Sequence, residues 1–458
     1  YNSAHSIATT GRDVDGELHP FLYSRFTRNP PLYAVAGYAS TLVFGKTPFG
    51  LRFPAVLLGL ASIALLYAIT LELTRRQQIA LLAALMMAIA PIFIQFSRIG
   101  WEPGSELAPL LGGIYLLLRG RLVWAAILLG LTSYSYMAGW FYALVLAGPL
   151  LVLYAVRGRS RRARIAACAT GALWFVISIP ALWMWFLDPS TNARTIRIAT
   201  FANGFSLPAL EAFALNYFVH FRWSYLAVTG DPQPGLTWRY LNGFGAFYWW
   251  LIPLAALGVF VTFRYVRSRA LGWWVWWWLL VYPLGGALTN EGAPNAPRTL
   301  AGAPVFCVLA AMGLTYLLDV ARSKQWLVRW VFALAATFSL AWFAWIYFVQ
   351  YVHRDSNAWY SGTRAMFETL IAHRERFHRV CFAVLPAWYD TDAYSRFYLD
   401  DNGLRWIDNI DDPRCSQPGV MLAVDPHHLV VRDGFEPIAT IRDVDGAVFA
   451  YISGRLPR

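Results

Sequence analysis

The chain has 458 residues, of which 58% are hydrophobic, 17% aromatic and 14% charged, with a formal net charge of +12. With a mean hydropathy of +0.43, that balance excludes a soluble globular protein and points to an integral membrane protein. The sequence has no Gly-rich nucleotide loop, no HExxH and no CxxC, so a soluble-nucleotide site has no support.

The opening stretch, Tyr1 to Leu32, is polar and carries GRDVDGE at 11–17, with Asp13, Asp15 and Glu17 gathered ahead of NPPLY at 29–33. The apolar run that follows starts with two prolines, which suits a helix beginning at Pro31 and lying along the membrane surface. A bilayer core about 30 Å thick needs roughly 20 apolar residues per helix. About ten stretches are candidates, near 54–73, 79–97, 104–118, 122–137, 141–156, 166–186, 246–263, 272–289, 300–319 and 328–350. In the loop over 188–245, a helix-like piece at 207–226 is broken by GDPQPG at 230–235. From residue 353 onward, Asp, Arg and His become frequent and strand-like alternation appears. The expected organisation is an α-helical membrane bundle over 1–352, including outer loops 1–53 and 188–245, and a small external α/β domain over 353–458.

Lys and Arg of short loops stay on the cytoplasmic side. Alternate loops carry Arg75 and Arg76, Arg119 and Arg121, Arg157 to Arg164, Arg264 to Arg269, and Arg322 to Arg329, and all fall on one face. The positive charge is therefore a topology signal, and nucleic acid is not an expected partner. The irregular loops and the C-terminal domain fall on the other face, outside the cytoplasm. Cys168 and Cys307 lie within spans and are simplest as packing residues. Cys381 and Cys415 lie in the external domain, where an oxidising exterior permits a disulfide, although spacing alone does not establish one.

Three constellations can carry chemistry. Asp13 and Asp15, with Glu17, can act as general bases or ligate a divalent metal, or can be solvated turn residues; nothing in the sequence demands a metal. Arg98 and Glu102, in SRIGWEPG at 97–104, form either a cavity wall or a structural ion pair, with Glu106 a weaker third carboxylate. Arg298, after two prolines and Asn295, has the planar fork that suits a phosphate, or it snorkels at the interface. Arg52 lies at the end of its span away from the cytoplasmic arginines and is a second phosphate candidate. His220 and Arg222 in HFRWSY, and Tyr136 in YSYMAGWFY, are candidates for a substrate groove. The run WWVWWW at 273–278 reads as an interfacial tryptophan belt.

TGRDVDGE at 10–17, PPLY at 30–33, TPFGLRFPAVLLG at 47–59, FSRIGWE at 96–102 and NAPRTLAGAPVFCVLAAMGL at 295–314 occur in an order that resembles bacterial glycosyltransferase C enzymes. These are relatives of the dolichyl-phosphate-mannose-protein mannosyltransferases and the aminoarabinose lipid A transferases. The resemblance implies transfer of a sugar, usually with inversion, from a polyprenyl-phosphate carrier to an acceptor on the external face of a bacterial inner membrane. In similar chains an acidic pair in the first external loop supplies the base, shortly before the segment matching 1–10. The foremost catalytic Asp is thus expected upstream of Tyr1, and Asp13 takes second rank. The family's second acidic position maps onto Glu102, with Arg98 before it, and Arg298 falls where similar chains place a basic residue near the carrier phosphate. PPLY usually follows a lysine, whereas this chain has Asn29.

Two alternatives differ in testable ways. A transporter predicts ionisable residues at mid-membrane and internal repeats, and the chain has few of the former and none of the latter. An O-antigen ligase or polymerase would share the external site but take a diphosphate-linked donor.

Overall fold

The computed structural model describes residues 2–12, 16, 22–23, 28–189, 196–231, 243–355, 359–383, 391–426 and 433–457. The chain divides into two compact units, Ser3–Phe343 and Ala344–Arg458, the latter with the first two residues.

The larger unit is helical. After α1 (Asn2–Thr10) and a short antiparallel pair, β1 (Leu22–Tyr23) and β2 (Arg28–Asn29), come α2 (Pro31–Phe44) and α3 (Pro48–Thr74). The next elements are α4 (Gln77–Ile89), α5 (Pro91–Phe96), α6 (Glu102–Ser105), α7 (Leu107–Leu118) and α8 (Leu122–Thr132). They are followed by α9 (Gly139–Arg157), α10 (Arg161–Phe186), α11 (Leu207–Val219), α12 (Leu251–Tyr265) and α13 (Arg269–Val281). The unit ends with α14 (Leu284–Ala287), α15 (Ala296–Thr299), α16 (Pro304–Ala321) and α17 (Gln325–Trp345). α2 starts at Pro31 as expected.

Among the described residues four helical runs are long and apolar enough to cross a membrane, namely α3, α9, α10 and Pro304–Arg354. This differs from the ten single spans expected, and prolines and turns account for much of the difference. The span at 79–97 is cut at Ala90, extended at ψ 134 ahead of Pro91, because proline disfavours helical backbone in the residue before it. The spans at 104–118 and 272–289 are each two helices, and Arg322, with φ 41, divides Pro304–Arg354. On α17, Trp326, Trp330, Leu334 and Phe338 are exposed, as expected of a lipid-facing helix.

Two packing devices shape the bundle. α12 and α16 cross where Gly258 meets the Leu309 backbone and Gly313 meets that of Leu254, leaving no room for a Cβ on either glycine. Small residues at such crossings let backbones approach closely. In α9, Ala143–Ala147 forms a π-helical turn, which disturbs the regular ladder of backbone bonds. The indoles of Trp274 and Trp277 donate to the carbonyls of Leu146 and Val145 at 2.8 and 2.6 Å. The tryptophan run is therefore more than a belt: Trp273 is exposed to the surroundings, while Trp274 and Trp278 are buried in the bundle.

The arginine loops meet at one end of the bundle. Arg119 after α7 binds Glu72 near the end of α3 at 2.8 Å, the Arg267 N–H binds the Leu73 carbonyl at 2.8 Å, and Arg157 binds Ser268 at 2.7 Å.

The smaller unit holds a five-stranded mixed sheet of β3 (Arg379–Phe382), β4 (Arg405–Ile407), β5 (Val420–Val424), β6 (Glu436–Arg442) and β7 (Val448–Arg455), in the order β4-β3-β5-β7-β6. β3 is parallel to β4 and β5, whereas β7 is antiparallel to β5 and β6. Helices α18 (Thr363–Ala372) and α19 (Thr391–Leu399) cover it, with Met366, Phe367, Leu370, Phe382, Met421 and Ile452 in the core. Cys381 on β3 is disulfide-bonded to Cys415.

Candidate active site

Arg52, Glu102 and Arg298 each stand near the start of a helix that runs to the arginine-bearing end of the bundle, whereas Arg98 lies in the turn between α5 and α6. Arg52 is in the first turn of α3, which ends near Arg75; Glu102 opens α6 and leads into α7, which ends at Arg119; Arg298 precedes α16, which ends near Asp319. At about 1.5 Å per residue, the 27 residues of α3 separate the two ends by about 40 Å.

The first half of the site is a knot of loops. Thr47 caps α3, its hydroxyl accepting from the Gly50 N–H at 3.0 Å. The Tyr33 hydroxyl donates to the Leu51 carbonyl at 2.8 Å, and the Leu32 N–H donates to the Tyr134 carbonyl at 3.0 Å, so PPLY ties the start of α3 to the turn after α8. Gly100 has φ +65, and a Cβ there would meet the Tyr33 hydroxyl at 2.8 Å and the Arg52 stem at 3.1 Å. Glycine is thus needed both for the conformation and for the space. Trp101 stacks on Phe96 with centroids 6.0 Å apart and meets Tyr136 edge-on at 6.4 Å. Arg52 and Arg98 are exposed here and Glu102 is half-buried.

The second half surrounds Arg298. Asn295 caps α15, its Oδ1 accepting from the Arg298 N–H at 3.3 Å, and Asp231 Oδ2 accepts from the Ala296 N–H at 3.1 Å. Arg298 is 4% exposed; its Nη2 donates to Glu291 at 2.5 Å, while its buried Nη1 has no hydrogen-bond partner among the described residues. A buried guanidinium nitrogen in that condition is unusual, and its N–H groups can donate to an anion or a water. α15 packs against α6, which makes the Arg298 and Glu102 helices neighbours.

His220, expected in a substrate groove, is fully buried instead. Its Nε2 accepts from the Asn295 N–H at 2.9 Å and its Nδ1 lies 2.6 Å from the Asn216 carbonyl. Nδ1 must then carry the proton and Nε2 the lone pair. Burial lowers its pKa to about 4, with the bond to Asn216 opposing the shift, so the ring is neutral. Arg222 is exposed, its backbone N–H donating to the Val219 carbonyl at 3.1 Å. Asp13 and Asp15 lie outside the described residues, and Glu106 is fully buried beside Gly139. Asp231 and Glu291 were not singled out from sequence; the only signal was their place in the Pro- and Gly-bearing turns that break the helices on either side. Among the described residues no group of three His, Cys, Asp or Glu could hold a metal. An apolar groove of about 710 Å³ runs between α9 and α10, lined by Trp140, Leu144, Leu151, Cys168, Trp174 and Phe186.

Residues 11–100 match the family model of dolichyl-phosphate-mannose-protein mannosyltransferase. In three dimensions the chain is similar to ArnT from Cupriavidus metallidurans in the apo state, with a TM-score of 0.56 and 13% identity over 99% of this chain and 91% of that one. The chain has an ArnT-like fold. ArnT from the same organism bound to undecaprenyl phosphate matches this fold with a TM-score of 0.56 and 11% identity, over 99% and 92% of the two chains. A weaker likeness is to the oligosaccharyltransferase AglB from Archaeoglobus fulgidus in complex with an inhibitory peptide and a dolichol-phosphate, with a TM-score of 0.48 and 14% identity over 93% and 64%. No curated protein matches in sequence. The ArnT-like fold and the apolar helices long enough to cross a membrane make this a multi-pass membrane protein, and the match over residues 11–100 agrees with the resemblance read from the ordered motifs.

Proposed function

We propose that this protein transfers a sugar, with inversion, from a polyprenyl-phosphate donor to an acceptor on the external face of a bacterial inner membrane. The observation that carries this is the packing of α15 against α6, which sets Arg298, whose buried Nη1 has no hydrogen-bond partner among the described residues, beside the helix of Glu102. That ArnT is bound to undecaprenyl phosphate in one of its structures supports the choice of donor class.

In the proposed reaction a carboxylate, Glu102 or one of Asp13 and Asp15, takes the proton of the acceptor as its oxygen or nitrogen attacks the anomeric carbon. General-base help of this kind contributes on the order of 10²- to 10⁴-fold. The bond from the anomeric carbon to the phosphate oxygen breaks, its electron pair goes to the leaving phosphate, and Arg298 neutralises the charge that grows there. Arg52 and Arg98 flank the same end of the bundle and serve the same phosphate. Glu291 holds one side of the Arg298 fork and leaves the other free for it. The prenyl tail occupies the apolar groove between α9 and α10, on the lipid side of Trp140.

The test is purified full-length protein in lipid nanodiscs, given radiolabelled polyprenyl-monophosphate sugars. Consumption of a labelled donor, with label moving to an acceptor fraction, is expected. Failure to bind or consume any such donor overturns the proposal, and consumption of a diphosphate-linked glycan instead assigns the protein to the ligase or polymerase class.

A further inference from the structure

The end of the bundle remote from the proposed active site holds more positive charge than its own carboxylates can use. Glu72 is nearly buried and receives three guanidiniums: Arg75 at 2.9 Å, Arg119 at 2.8 Å and Arg267 at 3.6 Å. Three positive charges against one negative leave a surplus of two, before Arg157 is counted. Arg157 contacts the Ser268 hydroxyl at 2.7 Å and has no carboxylate partner among the described residues. Each guanidinium offers five N–H donors, whereas Glu72 has two oxygens, both already taken by closer arginines. The side chains of Arg75, Arg119 and Arg267 remain 55%, 51% and 31% exposed, so their remaining donors face outward.

The cluster is built from fixed backbone. Arg75 caps α3 in left-handed conformation, its N–H on the Leu71 carbonyl, and the Arg267 N–H is tied to Leu73 at 2.8 Å. The Arg267 guanidinium is pushed below its ordinary pKa, first by desolvation and then by Arg75, with Arg157 adding to the push against the pull of Glu72. An anion placed here would relieve that repulsion. Its depth in the membrane is marked independently, because Trp124, in the first turn of α8, and Trp273, in the first turns of α13, are 64% and 59% exposed at the same end. Exposed tryptophans concentrate at headgroup level, which is where phosphodiesters lie.

We infer that Arg75, Arg119, Arg267 and Arg157 form a headgroup site for an anionic phospholipid, taking its phosphodiester beside Glu72 at the arginine-rich end of the bundle. Basic pockets between membrane helices bind such headgroups, and arginine's fork matches phosphate geometry. This needs only a membrane-embedded bundle and is independent of the sugar-transfer chemistry at the other end.

The test compares full-length protein in phosphatidylcholine nanodiscs with and without phosphatidylglycerol, reading thermal unfolding and the phospholipid retained after exchange into detergent. The wild type is expected to unfold several degrees higher with phosphatidylglycerol and to retain it preferentially. R119Q/R267Q should lose most of both effects. E72Q, which removes the competing carboxylate, should keep or strengthen retention, and it separates lipid binding from damage to the ion-pair network. Equal behaviour in the two lipid compositions, or an unchanged phosphatidylglycerol response in R119Q/R267Q, overturns the proposal. If millimolar inorganic phosphate in phosphatidylcholine discs reproduces the full stabilisation, the site takes a free anion and the lipid assignment falls.

Discussion

His220 holds the backbone of Asn295: its unprotonated Nε2 accepts the Asn295 N–H at 2.9 Å across 75 residues of sequence, and Asn295 in turn caps the turn of helix that bears Arg298. The imidazole is thus a brace behind the proposed phosphate site, and protonating it would replace an acceptor with a donor facing another donor.

That relationship sets a pH dependence. The folded His220 has its pKa lowered to about 4 by burial, against about 6.5 in the unfolded chain. A group with a depressed basic pKa contributes stability that is present above pH 6.5 and is lost as pH falls toward 4, because there the unfolded chain binds a proton that the native ring does not. The loss is on the order of 3 kcal/mol over that window, at about 1.4 kcal/mol per pH unit. Thermal unfolding in detergent at pH 7.5 and pH 5 should show it, and H220Q, which retains an acceptor without titrating, should flatten the difference. An unchanged slope in H220Q would remove His220 as the cause.

Arg298 is expected to matter for turnover more than for binding. R298A should lower kcat about 10²- to 10³-fold, the usual cost of removing one donor to a developing oxyanion. R298K keeps the charge but loses the planar fork, and should recover only part of the rate. E291Q keeps a hydrogen-bond acceptor for Nη2 and should be far milder. Steady-state kinetics with a polyprenyl-monophosphate sugar will rank the three, and R298A at wild-type rate would remove Arg298 from the mechanism.

Glu102 is the described carboxylate proposed as base. E102Q preserves shape and hydrogen bonding while removing basicity, so a loss of about 10²-fold or more in kcat with little change in KM is expected. Near-normal transfer by E102Q would shift the role to the carboxylates of the opening loop.

The crossing of α12 and α16 should be intolerant of bulk. G258L or G313L forces apart two backbones already in contact and should destabilise by about 3 kcal/mol or more, whereas S339A, which removes the hydroxyl accepting from the Trp250 indole at 3.1 Å, should cost about 1 kcal/mol. Thermal unfolding of the purified variants measures both.

The smaller unit depends on its covalent link. Cys381 and Cys415 are separated by 34 residues, and closing a loop of that size stabilises by about 4 kcal/mol in the chain-entropy account. C381S/C415S should make residues 344–458 markedly more sensitive to limited proteolysis than the wild type. Proteolysis rates equal to wild type would show that the sheet core suffices.

Much of this protein is written in local sequence. Composition alone determined that the chain is a membrane protein, the loops rich in arginine forecast which helix ends would meet, and five short motifs in order carried the resemblance to glycosyltransferase C enzymes, because apolar content, loop charge and turn residues act over a few positions. The α/β character of the C-terminal part was legible for the same reason, from the change to alternating strands. Tertiary structure alone decided the rest. Neither the pairing of Arg298 with Glu291 nor the Asp231 contact to Ala296 could be read from spacing. His220 looked like a groove residue until the fold buried it against Asn295, and the ten apolar stretches proved to be long helices mixed with short ones broken at proline. Cysteine spacing left the 381–415 bond open, since only the packing of β3 beside β5 brings the two sulfurs together. In each case the partner is distant in sequence, and its approach is set by how helices and strands close-pack rather than by any local preference.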